Sequence, residues 1–139
     1  MTYLKDQVAK LIDGAKVSMI GSVDECGFPN LKAMLPPRKR EGLAKIYFST
    51  NTSSIRVRQF RENSKGCVYF FDEASFRGAM LVGLVEILED EASKEMTWRP
   101  GDRLYYPLGV SDPDYCVLCF TINYGRYYGG NLESESFIL

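Results

Sequence analysis

Six strand-forming runs set apart by turn residues, interleaved with short helical patterns, predict a mainly β protein: a six-stranded antiparallel barrel with peripheral short helices. The runs fall at residues 17–23, 31–35, 45–49, 66–71, 79–88 and 116–122. The chain of 139 residues is read as one domain, 1–139, large enough to bury roughly two thirds of its unfolded surface. With 45% apolar residues, eight Phe and nine Tyr, a packed core is expected without disulfide or metal staples.

The elements follow in order. Residues 2–14 form the first helix: Leu4, Val8, Leu11 and Ile12 share one stripe and Gly14 ends it. Strand 17–23 runs into the hairpin turn Asp24-Glu-Cys-Gly-Phe-Pro29. Strand 31–35 returns and stops at Pro36-Pro37. A basic loop precedes strand 45–49, and residues 53–62 form a helix opened by hydroxyl residues, with Ile55 and Phe60 inward. Leu81-Val-Gly-Leu-Val85 is apolar throughout, as in a strand with both faces covered. A helix at 90–98 precedes the last strand.

No apolar run approaches the roughly 20 residues needed to cross a bilayer, and the N-terminal residues lack a signal-peptide core. A soluble, cytoplasmic protein without membrane contact is expected. Cys26, Cys67, Cys116 and Cys119 are then reduced thiols. Cys116 and Cys119 form a C-x-x-C inside a strand, where side chains three apart point to opposite faces. With no second cysteine pair and no histidine, no metal site is expected. The missing histidine also excludes Ser-His-Asp and Cys-His mechanisms, so an enzyme here relies on a cofactor for its reactive chemistry.

The net charge of −1 hides an asymmetry. Residues 32–65 carry nine basic and two acidic side chains, whereas residues 72–139 carry five basic and twelve acidic ones. An anionic ligand held at one place explains that division better than nucleic acid does, given an overall pI near 5.5.

The most informative stretch is Tyr47-Phe-Ser-Thr-Asn-Thr-Ser-Ser-Ile-Arg56. A strand ends at Ser49 and Thr50, a polar turn follows, and a helix begins near Ser54 with Arg56 in its first turn. Free amides at a helix start, hydroxyls and a guanidinium suit a phosphate. The plain alternative is a hydroxyl that only caps a surface helix.

This stretch, together with Gly27-Phe-Pro-Asn-Leu-Lys-Ala-Met-Leu35, Leu81-Val-Gly-Leu-Val85 and Tyr105-Tyr-Pro-Leu-Gly-Val-Ser-Asp-Pro-Asp-Tyr115, resembles the FMN-binding split barrels related to pyridoxamine-phosphate oxidase. Within them it resembles the general-stress-protein-like branch, in element order over nearly the whole chain. The resemblance implies FMN as cofactor, held at the interface of a homodimer. It places Lys32, Ala33, Met34 and Leu35 beside the flavin, Ser49 and Thr50 along the ribityl chain and phosphate, and Ser54, Ile55 and Arg56 at the phosphate turn. Tyr115 falls where the second subunit brings an aromatic near the flavin. Taken singly, Lys32 also reads as an exposed cation on an edge strand, and Met34 and Leu35 as core.

The chain departs from the oxidase in places. Pro36-Pro37 stands where the oxidase has a lysine shortly after the second strand, its glutamine ahead of the fifth strand is replaced near Gly78, and Gly125-Arg-Tyr-Tyr-Gly-Gly130 does not match its substrate signature. The implied function is an FMN-dependent oxidoreductase using NAD(P)H and a small-molecule acceptor, without pyridoxamine-phosphate oxidase activity. The alternative is a non-catalytic flavin-binding stress-response protein; a haem-binding split barrel is more distant. No catalytic residue is singled out. Tyr105, Tyr106, Tyr115, Tyr124, Tyr127 and Tyr128 are candidates for ring stacking or for packing barrel ends and the interface. Trp98 reads as core or interface, and Arg99 and Arg103 as solvated surface.

Overall fold

A computed structural model describes residues 2–131 and 133–138. Helix α1 (Thr2–Gly14) buries Leu4, Val8 and Ile12, one residue per turn on a single face. Strands β1 (Ser18–Val23) and β2 (Pro29–Met34) form the expected hairpin. Asp24 shapes its turn by accepting the Cys26 and Phe28 amides at 2.9 and 2.8 Å, and Gly27 supplies the positive φ.

Next come β3 (Lys39–Glu41), β4 (Lys45–Asn51), α2 (Ile55–Glu62), β5 (Lys65–Asp72) and β6 (Arg77–Leu88). Helix α3 (Glu91–Thr97) is capped by Asp90, whose carboxylate accepts the Ser93 amide at 3.0 Å. A 3₁₀ turn (Pro100–Leu104) leads to β7 (Tyr115–Tyr128) and β8 (Ser134–Ile138).

All eight strands belong to one antiparallel sheet, ordered β2-β1-β5-β6-β7-β4-β3, with β8 on β7. The fold is therefore mainly β with three α-helices, consistent with a split barrel. The expected count of six is corrected to eight: β3 is three charged residues long, and β8 contributes one buried side chain, Phe137. β7 organises the sheet. Its first half pairs with both β6 and β4, and its second half with β6 and β8.

A bulge at Val82/Gly83 puts Asn123 out of register and increases the local bend. Gly83 is required there, because a Cβ would lie 1.9 Å from the Thr121 carbonyl oxygen. The concave side holds the main core: Ile20, Phe48, Val68, Phe70, Leu81, Leu118 and Phe120, closed by α1 and by Val57 and Phe60 of α2.

Two expectations about side-chain direction are corrected. α2 starts at Ile55 itself, so its inward positions are Val57 and Phe60, and Ile55 is 54% exposed. In β6, Leu81 and Val85 are buried but Leu84 is 44% exposed, so the outer face is uncovered in the single chain. The two β7 cysteines diverge as expected: Cys116 joins the main core, and Cys119 packs with Tyr47 and Val117 on the other face. Among the described residues no helix is long and apolar enough to cross a membrane.

Candidate functional site

The sheet's curvature brings β2, its first strand, opposite β4. Between them lies a cleft of about 600 Å³, lined on one side by Lys32, Ala33, Met34 and Leu35 and on the other by Ser49, Thr50, Asn51 and Arg56. β2 pairs only with β1 among the described residues, so its second edge leaves backbone donors and acceptors free. Residues 102–114 close the third side through Asp102, Tyr105, Tyr106 and Asp114.

The floor is built around Arg56. Its Nη2 donates to Thr50 Oγ1 at 2.9 Å and to Asn51 Oδ1 at 3.5 Å. Its Nε is buried and has no acceptor among the described residues. Burial, above all, pulls its pKa below the usual arginine value, and no carboxylate pairs with it among the described residues. The guanidinium therefore keeps unused donors beside the first-turn amides of α2, which have no intrahelical partner. This is the donor set of an anion site.

Ser54 is committed elsewhere. Its hydroxyl caps α2 by accepting the Val57 amide at 3.2 Å, so it shapes the turn and does not line the cleft. Ile55 faces outward and is not part of the lining either.

Arg38, the other cation at the rim, is spoken for. Its Nη2 and Nη1 meet the two oxygens of buried Asp102 at 2.7 and 3.0 Å. Asp102 also accepts the Arg99 amide at 2.9 Å, and Arg99 Nη2 returns to the Arg38 carbonyl at 2.9 Å. This closed ring of bonds fixes the 3₁₀ turn, and with it Tyr105 and Tyr106, against the β2–β3 corner. Lys32, by contrast, forms no ion pair among the described residues.

Tyr115 lies outside the cleft lining. It is fully buried, with its hydroxyl 2.7 Å from Thr97 Oγ1 and its ring edge-on to Trp98 and Tyr106, at 5.1 and 4.9 Å. Enclosed within its own chain, the ring supports Tyr106, which lines the cleft. Burial pushes the Tyr106 hydroxyl up to about 12. Tyr105 is 64% exposed at the rim. Arg99 and Arg103 lie outside the lining.

The cleft thus joins Lys32 through Leu35 with Ser49, Thr50 and Arg56, and leaves Ser54, Ile55 and Tyr115 out. Sequence reasoning missed the parts played by Arg38, Asp102 and Asp114. The run from Tyr105 to Tyr115 carried the only local signal of the third wall.

Such a fold and cleft define a class: mainly β proteins with a ligand-sized cleft at the open seam of a curled sheet. The family described as pyridoxamine 5'-phosphate oxidase matches residues 4–129, and the chain belongs to it. A protein from Clostridium acetobutylicum, related to general stress protein 26 of B. subtilis and of the pyridoxinephosphate oxidase family, is 45% identical. That alignment has a TM-score of 0.90 and covers 100% of this chain and 96% of that one. General Stress Protein 26 from Bacillus anthracis str. Sterne aligns with a TM-score of 0.81 at 20% identity, over 99% of both chains. A heme binding protein from Mycobacterium smegmatis shares the fold at 13% identity and a TM-score of 0.79, over 96% of this chain and 57% of that one. The comparison with curated proteins returns no match.

Proposed function

We propose that the chain binds FMN in the cleft between β2 and β4 and works as an FMN-dependent oxidoreductase, with NAD(P)H as donor and a small molecule as acceptor. The observation that carries this reading is Arg56: a half-buried guanidinium with an orphaned, buried Nε at the start of α2, opening onto a cleft large enough for a ring system. Bound FMN would supply hydride acceptance and electron transfer. The residues of the chain do the rest. Arg56 and the α2 amides hold the phosphate, while Ser49 and Thr50 line the path of the ribityl hydroxyls. The free β2 edge offers backbone hydrogen bonds to the polar rim of the ring. Met34, Leu35 and Val17 give it an apolar wall, and Lys32 sets a positive charge beside it, favouring an electron-rich ligand.

The working unit we propose is a homodimer. Across the convex face Leu31, Gly21, Cys67, Val82 and Tyr124 stand in one register row through five strands. Leu31 is 63% and Tyr124 46% exposed, and Leu84 lies on the next strand positions. An apolar stripe of this length on a small protein fits a second copy of the chain. A monomeric mass by light scattering, with flavin bound, defeats the dimer.

A second reading is a non-catalytic flavin-binding stress-response protein, in keeping with the likeness to a protein related to general stress protein 26. One series of measurements separates the two. Purified protein is incubated with FMN, desalted, and its visible spectrum taken; then NADH and NADPH are offered with a panel of acceptors. Flavin bands perturbed from those of free FMN, followed by turnover, support the oxidoreductase. Retained flavin without turnover, reoxidising slowly after photoreduction, supports the second reading. A colourless protein that never quenches FMN removes both.

A further inference from the structure

The cleft contains a carboxylate where an anion site has no need of one. Asp114 lines it from the third side, and its Oδ1 accepts the amide of Ser53 at 2.9 Å, in the turn that leads into α2. Two further bonds, one backbone and one from a side-chain hydroxyl, fasten the same loop to the same turn. The Thr52 amide donates to the Asp114 carbonyl at 2.7 Å, and Thr52 Oγ1 donates to the Pro113 carbonyl at 3.1 Å. The loop is thus latched without the carboxylate. Asp112 braces it from behind, accepting the Asp114 amide at 2.9 Å and the Leu108 amide at 3.2 Å.

The charge of Asp114 is not cancelled. No ion pair joins it to Arg56, Lys32 or any other cation among the described residues, in contrast to Asp102, which is fully engaged by Arg38. A formal negative charge bound to a turn amide next to the phosphate donors does two things. It satisfies the Ser53 amide in the turn before α2, and it disfavours a phosphate dianion in the same cleft.

Building on the FMN reading, we infer that Asp114 is a specificity-determining residue of the cleft: its carboxylate weakens the grip on the ligand's phosphate, so that affinity rests chiefly on the ring and the flavin is exchangeable.

The test is Asp114→Asn, which keeps an oxygen to accept the Ser53 amide and removes only the charge. Dissociation constants for FMN and for riboflavin are measured by quenching of flavin fluorescence at low and high salt, with circular dichroism confirming the fold. The expected result is FMN bound about fivefold tighter by the variant at low salt, with riboflavin unchanged and the gain shrinking at high salt. An unchanged ratio of FMN to riboflavin affinity overturns the inference. So does an equal loss for both ligands, which makes Asp114 a latch or a ribityl contact. A wild-type protein that binds neither flavin fails differently: it overturns the FMN reading, and this inference falls with it.

Discussion

Asp102 takes both terminal nitrogens of Arg38, at 2.7 and 3.0 Å, with the two side chains only 6% and 11% exposed. The pair ties the β2–β3 corner to the 3₁₀ turn that carries Tyr105 and Tyr106, and it removes one cation from those able to meet an anion. Arg38→Met strands a buried carboxylate and is expected to cost about 3 kcal/mol of stability. The double variant Arg38→Met/Asp102→Leu should recover much of that loss, because no charge is left unpaired. Urea unfolding of both single variants and the double variant measures the coupling. Additive losses would mean that the two side chains act independently.

Arg56, like Lys32, forms no ion pair among the described residues and is free to act on a ligand. Arg56→Ala is expected to weaken FMN about 10- to 100-fold, the range of one or two charge-assisted hydrogen bonds, and to leave riboflavin nearly untouched. The contrast between ligands matters more than the size of either effect. Equal losses for both would place Arg56 in the support of the cleft rather than against the phosphate.

Much of this was readable along the chain, for physical reasons. Lys32, Ala33, Met34 and Leu35 sit on consecutive strand positions beside a hairpin turn, and Ser49, Thr50 and Arg56 flank a strand-to-helix turn. In each case local chemistry fixes what the backbone does. Ile55 was misjudged because the helix begins at that residue, which rotates the apolar face onto Val57 and Phe60. β3, read as Lys39-Arg-Glu41, has no apolar alternation to detect. The second half of β7 contains Gly125, which reads as a loop residue. It is instead demanded by the Phe137 ring, 2.6 Å from where a Cβ would stand. Asp102 carries no local signal, and Asp114 only its place in the Tyr105–Tyr115 run, since their roles arise only when distant segments meet.

Gly83 tests the bulge that curls the sheet around the site. Gly83→Ala would drive a Cβ into the backbone of Thr121, which has no room to withdraw within β7. The expected cost is about 3 kcal/mol, or failure to fold. Gly101→Ala is the control: a Cβ there has nothing within 4 Å, and the expected change is within about 0.5 kcal/mol. Thermal unfolding compares the two, and similar melting temperatures would refute the requirement for glycine at the bulge.

Tyr106 gives the cleft a signature in alkaline solution. Burial, helped by the neighbouring Cys116 and Asp114, raises its hydroxyl from an ordinary value of 10.0 to about 12. Between those values the unfolded chain releases the tyrosine proton and the folded chain keeps it. The unfolded state then binds fewer protons, so stability falls as pH rises. The contribution is whole below pH 10 and lost by about 12. Tyr47, also pushed up to about 12 by burial with help from Glu41, titrates in the same window. A tyrosinate absorbance titration of the native protein should therefore show late-ionising groups, and Tyr106→Phe should remove one of them while leaving Tyr47. The same variant should flatten the decline of the urea midpoint over this window. A titration indistinguishable from wild type would place the Tyr106 hydroxyl in solvent and take the third wall of the cleft with it.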